Sequence, residues 1–147
     1  MFGTFHHMRR QIMTINKRKI YLFFAGFILL LVGFYIGLMP VEYLGQFFNH
    51  EDFNIEVLSE MRGMGGTLFV FGCFILSGAF VKHIEYTSLI AATLIFTSFT
   101  AFRIIGILID GTPAQSILVA LSIELLFALA AMPILFSKEK PTPTEAN

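Results

Sequence analysis

The chain has 147 residues, 56% of them hydrophobic and only 14% charged, with a mean hydropathy of +0.76. Soluble domains carry about 25% charged residues, so an ordinary water-exposed surface is excluded. Ten Lys+Arg balance ten Asp+Glu, which excludes a basic nucleic-acid binder and an acidic tail protein; no nucleic-acid partner is expected.

In chain order, residues 1–19 form a basic leader with Arg9, Arg10, Lys17, Arg18 and Lys19. Phe2, Phe5, Met8, Ile12, Met13 and Ile15 are interleaved with these charges. Two readings stand side by side: a membrane-surface helix drawn to anionic lipid, or a disordered leader that only sets orientation. Residues 20–136 form the membrane domain. A transmembrane helix needs about 20 mostly apolar residues, and that template fits at about 21–39, 63–81, 86–109 and 114–136. A run this long before Pro40, without a small-residue cleavage site, reads as an anchor and not a signal peptide. The predicted fold class is an all-α membrane protein, an antiparallel four-helix transmembrane bundle. Residues 137–147, with Pro141 and Pro143, read as a disordered tail.

Sorting charge by side gives the zero total a structure. The side with both termini and the Lys82–Glu85 hairpin holds eight basic and three acidic residues, a net +5. The other side holds Glu42, Glu51, Asp52, Glu56, Glu60 and Asp110 against Arg62, a net −5. The positive-inside rule then places both termini in the cytoplasm. Tyr21 and Tyr86 fall at the inner boundary, Tyr35 and Tyr43 near the outer one.

Small residues let membrane helices approach closely. Gly33 and Gly37 have GxxxG spacing, with Gly26 one heptad earlier; Gly65, Gly66, Cys73 and Ser77 lie on roughly one face of the second span, and Ala120, Ala128 and Ala131 on one face of the fourth. The packing glycines Gly33, Gly37, Gly65 and Gly66 serve either contacts within one chain or a homo-oligomer seam. Between the first two spans, Val41 to Arg62 reads as an amphipathic outer segment, with Asn54 capping a helix that continues into span two. Asp110-Gly111 makes the next turn; Thr112 is the expected N-cap, Pro113 the first helical residue, and Gln115 completes a capping box. Pro133 is expected to bend the end of span four.

Two ionisable residues fall inside the predicted hydrocarbon, where each costs roughly 2.5–3.5 kcal/mol near the centre. Arg103 is about 9 Å from the outer end of span three and Glu124 about 15 Å from that of span four, at 1.5 Å per residue. An Arg side chain bridges that difference, so the two are expected to pair. Thr100 and Asp110 share the Arg103 face, and Glu60 and Arg62 enter at the same end. Glu60, Arg62, Arg103, Asp110 and Glu124 therefore form an expected polar cluster in the outer half, either a structural network or a site for a small polar or lipid-like ligand.

The four histidines are His6, His7, His50 and His83, all outside the spans, and Cys73 is the only cysteine. No buried haem pair, CxxC centre, GxSxG, HExxH or phosphate loop is present, so no metal or cofactor is expected. Membrane lipid, other copies of the chain or a larger membrane complex are the expected partners. The role expected from the residues is non-catalytic ligand binding or, alternatively, that of an accessory subunit; an enzyme would need Glu124 or Asp110 as acid or base.

The run Glu60-Met-Arg62-Gly-Met-Gly65-Gly66, then Phe102-Arg103-Ile-Ile-Gly106, then Asp110-Gly111-Thr-Pro113 and Glu124 resembles a bacterial four-helix membrane family catalogued as a domain of unknown function, number 4345. The architecture is also broadly similar to DoxX-like small membrane proteins. The resemblance covers about residues 20 to 136. It implies that Arg62, Arg103, Asp110-Gly111 and Glu124 are signature positions, and it supplies no activity.

Overall fold

The computed structural model describes residues 3–48 and 53–136, with side chains from Lys17 onward. The expected tail at 137–147, and His50, Glu51 and Asp52, lie outside the described residues. So do the leader side chains before Lys17, including the histidine pair.

Among the described residues there are five α-helices: α1 (Gly3–Leu38), α2 (Pro40–Leu44), α3 (Ile55–Gly78), α4 (Glu85–Asp110) and α5 (Gln115–Leu135). A 3-10 turn at Lys82–Ile84 joins α3 to α4. Four stretches, Lys17–Leu38, Ile55–Gly78, Lys82–Asp110 and Gln115–Leu135, are long and apolar enough to cross a membrane. Helices suit that setting because they satisfy every backbone N–H and C=O within the segment. The molecule is an up-down four-helix bundle of a multi-pass membrane protein. One end carries Lys17, Arg18, Lys19 and Lys82 and is called the basic end; Glu42, Glu56, Glu60 and Asp110 mark the acidic end.

The local signals explain most boundaries. Pro40 follows α1 and opens α2, where its missing N–H is no loss. The Asn54 side chain accepts a 2.9 Å hydrogen bond from Val57 N–H and so caps α3. α4 stops at Asp110 because Gly111 follows with φ +96° and ψ −172°, a conformation open in practice to glycine alone. The expected capping box at the next helix is not formed. α5 starts at Gln115 with Ala114 as its cap residue and no side-chain cap bond. Two residues of extended chain separate Thr112 from that start, so its hydroxyl is not at the capping position. Pro133 lies inside the last turn of α5.

The core is strongest between α1 and α3. Buried positions on α1 run Arg18, Tyr21, Leu22, Ala25, Leu29 and Ile36, the three-and-four spacing of one helical stripe. On α3 and its C-cap residue, Gly65, Leu68, Gly72, Ile75 and Ala79 alternate small and large. A Cβ built on Gly26, Gly33, Gly65 or Gly72 would lie less than 3.0 Å from the backbone of the opposite helix. Both helices thus carry glycine at seven-residue intervals, and the two rows interdigitate. Gly33 and Gly37 are covered by α3 of the same chain, so the seam expected from their spacing is used internally. Gly66 differs from its neighbour Gly65: nothing lies within 4 Å of a Cβ placed there, although its backbone nitrogen would lie 3.3 Å from a Cβ on Gly37.

The second pair, α4 and α5, closes onto the first mainly at the basic end. Gly78 meets Ser88, whose hydroxyl donates to the Phe74 carbonyl at 3.3 Å. Tyr21 donates its O–H to the Phe127 carbonyl at 3.2 Å, and the Phe96 and Phe127 rings stack at 4.8 Å. Every buried residue of α4 lies between Glu85 and Thr100, and those of α5 are Ala128 and Ala131. Towards the acidic end the two helix pairs therefore separate.

Candidate functional site

The separation exposes the one ion pair formed within the spanning segments among the described residues. Arg103 Nε donates to Glu124 Oε2 at 2.8 Å. The side chains retain 28% and 13% exposure, so the pair faces the opening without being bathed by it. The turn at Gly111 returns α5 antiparallel beside α4, and that hairpin brings residues 21 apart in sequence into contact. Phe99, one helical turn before Arg103, places its ring centroid 5.9 Å from the guanidinium carbon, within cation–π range.

Arginine has five N–H donors. Here Nε alone is used, and the terminal nitrogens of Arg103 have no protein acceptor among the described residues. Thr100, three residues earlier, is 7% exposed, and its hydroxyl has no hydrogen-bond partner. It is too deeply enclosed to touch a ligand in this arrangement.

The other expected members of the cluster go elsewhere. Arg62 donates from Nη1 to the Gly37 carbonyl at 3.0 Å. That carbonyl belongs to the last turn of α1, where helix carbonyls lack partners and the dipole is negative. Glu60 and Asp110 are exposed and make no ion pair among the described residues. Asp110 folds back towards Gly106, its Oδ2 lying 3.9 Å from where a Cβ there would sit. The five-residue cluster is thus a two-residue centre with Arg62 acting separately as a cap for α1. Among the described residues, no three His, Cys, Asp or Glu side chains group as metal ligands.

Sequence reasoning missed an apolar groove of about 360 Å³ between α3 and α4, walled by Met64, Leu68, Phe71, Leu94, Ile95 and Phe99. Thr67 and Ser98 add the only hydroxyls, and Thr67 already donates to the Gly63 carbonyl at 2.9 Å. Phe99 is shared: it lines the groove and lies under the Arg103 guanidinium. Phe99 is thus the point at which groove and ion pair adjoin.

The family described as a domain of unknown function, DUF4345, matches residues 18–135. The chain belongs to this family. No curated protein and no solved structure matches it. The matched DUF4345 region spans all four membrane segments and contains both halves of the ion pair.

Proposed function

We propose that this DUF4345 protein is a bacterial inner-membrane protein, both termini cytoplasmic, that binds a lipid-like amphiphile without catalysis. The apolar part occupies the groove between α3 and α4, and the polar head sits at Arg103 and Glu124. The observation that carries this reading is the unused donor capacity of Arg103 over Phe99, a wall residue of the apolar groove. A buried cation is costly unless its donors are met, and a head group rich in oxygen meets them. Arginine suits the role because its planar fork binds carboxylate or phosphate oxygens in pairs.

A second reading is supported by the closeness of the 2.8 Å pair itself. In it the pair pins the α4–α5 hairpin, and the protein acts as an accessory or scaffold subunit. Exchange of the charges, Arg103→Glu with Glu124→Arg, separates the two. The amphiphile reading expects purified wild-type protein to carry a stoichiometric adduct in native mass spectrometry. It further expects that adduct to be lost from the exchanged variant, even when that variant folds. An adduct-free wild type that co-purifies with a partner protein, unchanged by the exchange, establishes the scaffold reading instead.

A further inference from the structure

We propose a separate binding site for an anionic phospholipid at the basic end, on the face formed by α1 and the last turn of α3. It does not rest on the amphiphile reading and shares no residue with it. A shallow hollow of about 420 Å³ is lined there by Lys19, Ile20, Phe23, Phe24, Ala79 and Phe80. Phe23 organises its wall: it meets Phe24 edge-on at 5.6 Å and Phe80 edge-on at 6.2 Å. The rings are 41%, 54% and 69% exposed, so an apolar surface is held in place without being covered.

Depth and charge identify the occupant. Phe23 lies one helical turn below Lys19, about 6 Å deeper at 1.5 Å per residue. That matches the step from a phosphate to the start of its acyl chains. Lys82 stands on the 3-10 turn two residues after Phe80, outside the lining itself but at the same end of the bundle. Lys19 and Lys82 have no carboxylate partner among the described residues. The one described carboxylate of this end, Glu85, is 8% exposed and buried under the start of α4. Arg18, on the neighbouring position of α1, is also buried, at 6%, and does not line the hollow. A lysine at the rim of an aromatic wall, with a second two residues beyond Phe80, fits a lipid whose head is negative and whose tails are apolar. A zwitterionic head brings its own cation against the same lysines and is disfavoured.

The absence of tryptophan from the chain makes the test direct. Phe80→Trp places a single fluorophore in the hollow, and Leu126→Trp places one on an exposed position of α5. Each full-length protein is reconstituted in phosphatidylcholine vesicles with rising fractions of brominated phosphatidylglycerol or brominated phosphatidylcholine. The expected result with F80W is half-maximal quenching at about five-fold lower fraction of the anionic lipid for each effective lysine. L126W should show no preference. Adding Lys19→Gln and Lys82→Gln to F80W should abolish the difference. Phe24→Trp provides a second reporter should F80W disturb the end of α3. Equal quenching by both lipids in F80W and F24W overturns the proposal, as does a preference that survives both lysine changes. Quenching by neither lipid, meaning that protein covers the hollow, overturns it too.

Discussion

At the scale of single residues, the chemistry of the chain concentrates at Arg103 and Glu124. Removing one member of a buried pair strands the other charge at a cost of about 3–5 kcal/mol. Partial exposure places each single change, Arg103→Ala or Glu124→Ala, at the lower end of that range. The double variant should be less destabilised than the sum of the two, since neither charge is then stranded. Unfolding of all four proteins in detergent measures this, and simple additivity means the contact contributes nothing to stability. The pair was legible in the sequence because charged residues inside a membrane span are rare, and a short connection forces their helices to be neighbours. The wider cluster was misread for an equally physical reason. Arg62, Glu60 and Asp110 sit near helix ends, where water is close and competing acceptors such as the Gly37 carbonyl are available. Depth alone does not decide which acceptor an arginine chooses.

At the scale of elements, the α1–α3 contact depends on glycine, and adjacent positions make opposite predictions. Gly65→Ala forces a methyl group against the Gly37 backbone; overpacking of this kind costs about 1–3 kcal/mol. Gly66→Ala meets open space and should be neutral or stabilising by up to about 1 kcal/mol, the helix propensity gained over glycine. Thermal unfolding of the two variants is the measurement. Equal effects would mean that α1 and α3 do not approach through this row. The sequence made the Gly33–Gly37 spacing visible but not its partner. The matching row on α3, Gly65 and Gly72, has a seven-residue period, while adjacent Gly65-Gly66 draws the eye to a different face. The missing Thr112 cap is a similar case. A sequence of cap-forming residues predicts a helix start, yet the backbone has to bring the chain there first, and extended residues intervene.

At the scale of the molecule, charge is separated between the ends of the bundle, and the proposed orientation rests on it. With Cys73, the free cysteine, replaced by Ser, single cysteines at Asp110 and Lys82 report the two sides. A maleimide that does not cross membranes should label Asp110→Cys in intact cells and Lys82→Cys only after permeabilisation. The reverse pattern would place the termini outside. The four spans were readable from hydropathy because it is summed over many residues. The unequal closure of the bundle was not, since the helices remain apolar on faces turned to lipid as well as to protein.

That inequality also bears on how the protein is made. α1 and α3 are consecutive spans, and their glycine rows complete most of the core between them before α4 and α5 are synthesised. Chains made from the N-terminus form their early contacts first. The first hairpin therefore enters the bilayer as a partner-satisfied unit. The charged residues Arg103 and Glu124 arrive later, on consecutive spans, and each can neutralise the other as the second hairpin is released into lipid.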